Sequence, residues 1–305
     1  MSPAGFRFAH RQPGFSLIEV AIVLLIMGLV LAMVGTTTSA YINQKRRTET
    51  QEKMKVIDTA IVSFVALQKR LPCPADGTIN AANGVANAGA ENCTVAFMTT
   101  GLQQNGVVPW TSLGLTLADG TDSWGNVFTY RVDTTSYTPN SNTMDFTNCT
   151  GAGSLVVAPG TQNFCSSVAC TSATFPTACL SNLSAIKYRG LRVKNVSGTT
   201  IVADPCTATG AAYVLISHGE NQQGAYSQTG NLIAAGSVVS GTQEALNAAT
   251  AAFTPVNPAN CANTGSYLVD DVPDYGSTTA HFDDFVSRPT LLAVAGKATL
   301  GPRSY

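Results

Sequence analysis

The chain has 305 residues, a formal net charge of -1 and only 11% charged residues, which suits one large domain or two modest ones. A disordered chain is excluded, because 45% of the residues are hydrophobic and little net charge opposes collapse. There is no basic face interleaved with aromatics, so no nucleic-acid partner is expected.

Residues 1–14 are polar, carry Arg7, His10 and Arg11, and end in Gly14. From Val20 to Gln44 no residue is charged. That run exceeds the ~20 residues a membrane helix needs. A secretory signal peptide has a shorter apolar core with its small-residue cleavage site after it. Here the small residue, Gly14, comes first. Cleavage there removes the basic leader and keeps the greasy segment.

Gly14-Phe15-Ser16-Leu17-Ile18-Glu19-Val20 resembles the class III signal of type IV pilins and type II secretion pseudopilins. The resemblance implies a membrane-embedded aspartic prepilin peptidase that cuts after Gly14 and methylates the new amine of Phe15. The family's glutamate at the fifth mature position falls on Glu19. Gly28 and Gly35 match small residues where the family's helix loosens in the filament. Thr36 stands where major pilins often have proline, and the leader is somewhat long.

Glu19 is the costly residue. A carboxylate near a bilayer's centre costs roughly 2.5–3.5 kcal/mol, and less near the end of a span. Cleavage creates a cation four residues earlier, and a helix N-terminus favours a negative side chain. In a bundle of such helices Glu19 pairs with a neighbour's amine and sets axial register, a role that suits a buried ion pair better than stability does. The bland alternative is a glutamate snorkelling at a membrane edge. Flanking charge slightly favours the wrong orientation, since Lys45, Arg46 and Arg47 follow the span.

The eight cysteines are Cys73, Cys93, Cys149, Cys165, Cys170, Cys179, Cys206 and Cys261, and all lie downstream of the apolar run. They form no Cys-x-x-Cys pair, and His10, His218 and His281 are the only histidines, which argues against structural zinc. An even count suits disulfides in an oxidising compartment, and places the leader in the cytoplasm and the C-terminal bulk outside it. Proximity favours Cys73 with Cys93 and Cys170 with Cys179. Reduced, buried cysteines are the competing reading.

From Gln44 to Leu71 the pattern becomes one-sided. Met54, Ile57, Ile61, Phe64, Gln68 and Leu71 step by three or four residues, which predicts one helix face. With no proline from Phe15 to Leu71, one continuous helix on the order of 80 Å long is expected. Pro72 and Pro74 stop it. Beyond lie strand candidates at Val127–Val132, Leu155–Ala158, Ile186–Val193 and Tyr213–Ser217. Glu244–Phe253 reads as a short helix, and Leu291–Ala295 as a strand or a helix. Residues 134–210 hold five cysteines and read as a disulfide-stapled elaboration.

Asp122-Ser123-Trp124-Gly125-Asn126-Val127-Phe128-Thr129-Tyr130 resembles the pseudopilin stretch that leads into the first strand of the C-terminal sheet. Gly125 and Asn126 make a turn, and the aromatics supply apolar area to hold sheet on helix. Tyr213–Gly224 is similar, more loosely, to the family's next strand and loop, which helps to bind calcium in some members. Calcium prefers 6–8 oxygen ligands. Glu220, Asn221, Asp283 and Asp284 are the candidates here, with Asp270, Asp271 and Asp274 nearby, and solvated loops are the ordinary alternative.

Catalytic signals are weak. Ser184-Ala-Ile-Lys187 fits Ser-x-x-Lys without its partner motifs. His218 and His281 read as turn residues before bases, and no phosphate loop or dinucleotide fingerprint is present. The expected fold is α+β: a leader (1–14), a transmembrane and filament-core helix half (15–43), an amphipathic half (44–71), and a β-rich globular domain (72–305), which together make a pilin fold. The resemblance implies a structural subunit, not an enzyme, of a type IV pilus or type II secretion pseudopilus. Its large C-terminal part suggests a minor or tip position. The implied partners are the prepilin peptidase and N-methyltransferase, other pilins or pseudopilins, an assembly platform and the inner membrane, and the implied location is the bacterial inner membrane and then a periplasmic or extracellular filament. The rival reading is a membrane-tethered periplasmic enzyme or ligand-binding domain with an uncleaved anchor.

Overall fold

Unbroken helix-compatible sequence makes the first element long: α1 runs Leu17–Gln68. The computed structural model describes residues 14, 16–68, 70–94, 97, 105–132, 190–199, 201–233, 243–248, 267–274 and 281–298, with the side chains of 31–40 outside that set. Two compact units divide the chain, 1–46 and 47–305. In the first, the described apolar side chains from Leu17 to Val30 are exposed. Among the described residues no helix is long and apolar enough to cross a membrane.

In the second unit α1 buries Thr50, Met54, Ile57, Ile61 and Val65. The expected stripe had Phe64 and Gln68 where the structure has Val65. Val65 continues the i, i+4 row of Ile57 and Ile61. Phe64 is half-buried and Gln68 exposed. The Phe64 ring instead lies 5.1 Å from the Arg70 guanidinium. The helix ends before Leu71, which is fully buried in the extended run that Pro72 imposes.

The stripe packs on a five-stranded antiparallel sheet. In spatial order its strands are β1 (Ala75–Asp76), β2 (Gly106–Val107), β4 (Thr129–Val132), β7 (Tyr213–Ser217) and β10 (Phe285–Ser287). β3 (Asn126–Val127) pairs separately with β8 (Tyr226–Ser227). Strand alternation sorts the side chains by face. Tyr130, Val132, Tyr213, Leu215 and Phe285 join the cluster that holds Met54, Ile57, Ile61 and Val65. Val214 and Ile216 join a second cluster with Leu191, Val193, Ala203 and Leu268. β7 is thus buried on both faces, which explains its unbroken apolar run.

The second cluster belongs to a three-stranded sheet of β6 (Ile201–Ala203), β5 (Val193–Lys194) and β9 (Leu268–Val269). β5 pairs antiparallel with β6 and parallel with β9. Residues 193–194 and 201–203, at the C-terminal end of the disulfide-stapled elaboration expected over 134–210, therefore belong to a sheet layer of the body, and residues 133–189 lie outside the described set. The strand candidate Leu155–Ala158 lies outside the described residues. Leu291–Ala295 resolves as a helix, α2 (Leu291–Lys297), whose N-cap Thr290 accepts the Ala293 N–H at 3.3 Å. Gln243–Asn247 is a short 3-10 helix, near the expected Glu244–Phe253.

Polar clamps hold α1 in place. Lys53 Nζ donates to the Thr121 carbonyl at 2.8 Å, and Ser123 N–H donates to Thr50 Oγ1 at 3.2 Å. Asp58 accepts from Tyr213 Oη at 2.9 Å and from Ser287 Oγ at 2.7 Å. Between the two sheets lies a buried polar group. His218 Nε2 shares a 2.9 Å hydrogen bond with Thr129 Oγ1, and its Nδ1 stands 3.7 Å from Asp284 Oδ1. Asn247 Nδ2 donates to Asp284 Oδ2 at 2.7 Å, and Arg131 Nη2 to the Ala248 carbonyl at 2.8 Å. Burial, reinforced by the Arg131 charge, pulls His218 down to about 3.

Three outcomes are expected. Ile61→Ala costs about 2–5 kcal/mol of stability and Phe64→Ala clearly less, as measured by denaturant unfolding. Cys93→Ser opens the staple to Cys73, a sequence separation of 20, and costs about 3 kcal/mol by the chain-entropy argument, read in the same assay under oxidising conditions. The third concerns pH. His218 stays neutral when folded down to about 3, whereas its unfolded value is ~6.5. Its contribution to stability is therefore present above 6.5 and is lost as pH falls toward 3, at about 1.4 kcal/mol per pH unit. Asp58, Asp122 and Asp270 act oppositely, because burial raises their carboxyls, so that the folded state takes up protons first. His218→Gln removes the histidine contribution alone. Measured against wild type from pH 6.5 to 4, the variant gains relative stability as pH falls.

Candidate functional site

At the N-terminal end, Gly14 and Ser16 are exposed and outside the helix, while Phe15 lies outside the described residues. The Ser16 carbonyl accepts the N–H of Glu19 at 3.0 Å and of Val20 at 3.2 Å, which starts α1 at Leu17. Ser16-Leu17-Ile18-Glu19 has the spacing of a capping box, a signal that reading by apolar length passes over. Glu19 is exposed in the first turn, where the helix dipole favours a carboxylate. Leu17 and Ile18 are 91% and 69% exposed. A Cβ added at Gly28 would meet nothing within 4 Å, so another backbone has room to approach there. The surroundings of Gly35 and Thr36 lie outside the described side chains. Chemically, this end offers a small residue in non-helical backbone, an acidic first turn and a bare apolar surface.

The acidic candidates meet protein groups. Glu220 Oε2 is 3.6 Å from Arg47 Nη2. Asn221 donates its backbone N–H to Asp283 Oδ2 at 2.8 Å, and His281 Nε2 stands 3.6 Å from Asp283 Oδ1. Asp284 accepts from Asn247, Asp270 from Arg288, and Asp271 from the Val196 N–H. Asp274 takes part in a backbone bridge with Phe282. Asp283 and Asp284 are buried. Among the described residues, the His, Cys, Asp and Glu side chains that bring three ligand atoms within 4.8 Å are Cys73, Glu91 and Cys93. The carboxylates of Glu220, Asp283 and Asp284 do not bring three ligand atoms within 4.8 Å of one another.

That trio is already committed. Cys73 and Cys93 form a disulfide with Cα atoms 5.4 Å apart, as their proximity in sequence favoured. Glu91 receives both Arg70 guanidinium nitrogens, at 2.7 and 2.8 Å, and the Cys73 N–H at 3.1 Å. Cys206 is disulfide-bonded too. Cys149, Cys165, Cys170, Cys179 and Cys261 lie outside the described residues, as do Ser184 and Lys187.

Thr129, His218 and Asp284 have the connectivity of a nucleophile, base and orienting acid. Thr129 exposes nothing and His218 1%, and the group is an interior hydrogen-bonded layer. The Asp122 turn is equally structural. Asp122 Oδ1 accepts the N–H of Trp124 at 3.0 Å and of Asn126 at 2.9 Å, and Oδ2 accepts Ser217 Oγ at 2.7 Å. Gly125 takes φ +94° in that turn, a conformation open to glycine. The Trp124 ring stacks on Phe285 at 5.9 Å.

The profile of the prokaryotic N-terminal methylation motif matches residues 9–35. No curated protein and no solved structure matches the chain. The match covers Gly14, Phe15, Glu19 and the exposed apolar turns that follow. The chain carries a type IV pilin-like prepilin signal at its N-terminus.

Proposed function

We propose that the chain is a structural subunit, in a minor or tip position, of a type IV pilus or type II secretion pseudopilus. A single coincidence carries this reading. The matched motif covers the place where the helix begins at Leu17, where Gly14 and Ser16 are exposed outside it, and where the apolar side chains to Val30 are bare. A prepilin peptidase cuts after Gly14 and methylates Phe15. Before assembly the apolar segment sits in the inner membrane, with the second unit on the oxidising side, consistent with the Cys73–Cys93 disulfide. Assembly, on an inner-membrane platform, exchanges lipid for the helices of other subunits.

Transfer between two apolar surroundings gives little net hydrophobic gain, so association rests on close packing and on polar pairing. Gly28 supplies the close approach. Glu19 pairs with the amine of a neighbour's Phe15 and fixes the axial stagger. No bond is made or broken by the subunit itself. The buried state of Thr129 and His218 supports a packing role over catalysis.

Mass spectrometry of the mature N-terminus tests the reading. An N-methylated Phe15 is expected, and a product that retains Met1 overturns it. Glu19→Ala is expected to leave cleavage intact and to lower recovery in purified filaments at least tenfold. Normal incorporation of that variant removes the register role of Glu19.

A further inference from the structure

A groove of about 350 Å3 opens between the second half of α1 and α2. α1 lines it with Lys55, Asp58 and Val62, α2 with Val294 and Lys297, and β7 with Tyr213. Lys55, Asp58 and Val62 stand at i, i+3 and i+7 and so share one helix face. The groove combines one carboxylate, two ammonium groups and an aliphatic wall, in a volume at the small end of ligand sites.

Asp58 accepts one hydrogen bond at each oxygen, from Tyr213 Oη and Ser287 Oγ, and a carboxylate has about four acceptor positions. Burial holds its carboxyl above the usual range, against the pull of both hydrogen bonds and of Lys297. The charge of Asp58 is therefore under-compensated, and a cation at contact distance would relieve it. Lys55 and Lys297 are exposed. Among the described residues neither ammonium is held by an ion pair or hydrogen bond.

We propose that this groove binds a small aliphatic zwitterion, an α-amino acid whose ammonium meets Asp58, whose carboxylate lies between Lys55 and Lys297, and whose side chain rests on Val62 and Val294. A plain carboxylate meets repulsion from Asp58. A plain amine meets it from the two lysines. A neutral apolar molecule covers the two ammonium groups without answering either. A ligand that carries both charges answers all three groups. The site lies wholly in the second unit and does not depend on N-terminal processing.

The test uses the full chain in detergent micelles and isothermal titration calorimetry with L-leucine as probe. Saturable one-to-one binding is expected. 4-Methylpentanoate, which lacks the ammonium, and isopentylamine, which lacks the carboxylate, are expected to bind at least tenfold more weakly. Lys297→Met, at an exposed position, is expected to weaken leucine at least tenfold with the near-ultraviolet circular dichroism unchanged. Asp58→Asn is expected to bring leucine and 4-methylpentanoate to similar affinity. Should that variant fail to fold, the analogue series and Lys297→Met still decide. Absence of saturable binding, equal binding of all three probes, or leucine binding untouched by Lys297→Met overturns the proposal.

Discussion

The second unit rests on one contact, the burial of the Met54–Val65 stripe of α1 against Tyr130, Val132, Tyr213 and Leu215. The strands explain why it matters. β1 and β2 have two residues each, and the longest strand, β7, has five. Ladders this short supply few hydrogen bonds, and sheets need a shared apolar backing for independent stability. Each fully buried aliphatic side chain adds roughly 1.5–3 kcal/mol, so the stripe supplies that backing. Burial has no direction of its own. Lys53 and Thr50, bonded to the Thr121–Ser123 turn, and Asp58, bonded to β7 and β10, set where along and around its axis the helix sits.

β7 carries the second constraint. Because it is covered on both faces, each polar side chain near it needs an internal partner. Ser217, on the helix side, finds Asp122, and His218, on the far side, finds Thr129. Phe285 and Ser287 of β10 face the helix, whereas Val286 joins the far cluster. A one-residue slip of β10 against β7 would therefore turn Phe285 and Ser287 away from the helix, turn Val286 towards it, and break the Ser287–Asp58 bond. The interior polar groups specify register in a sheet whose short strands specify it weakly.

Elements governed by local chemistry were legible in the sequence. Tyr213–Ser217 was bounded correctly because its apolar run is continuous, and the Gly125 turn because its glycine needs positive φ. Val127–Val132 was found but not its interruption at Phe128, whose N–H and carbonyl turn to Gly120 and Val108. The choice between strand and helix at Leu291 hung on Thr290, a cap visible in sequence but not used. The β5–β9 pair was not legible. It joins two-residue segments far apart in the chain, and no periodicity marks so short a run. The partners of the acidic clusters were not legible for a related reason. Asp271, Asp283 and Asp284 bond backbone amides and side chains from distant segments, and composition alone does not separate such acids from ligands. At the N-terminus the motif was legible residue by residue, because its chemistry is local.

The junction at the C-terminal end of α1 has a mechanical meaning. Arg70 grips Glu91, Glu91 grips the Cys73 amide, and Cys73 is covalently tied to Cys93. A helix drawn out of its bed ordinarily peels from a free end, one contact at a time. Here that end is riveted, and the segment behind it cannot unspool. A load along the rod must instead slide Met54, Ile57, Ile61 and Val65 past the sheet together, in shear, and shear shares the force among all of them at once.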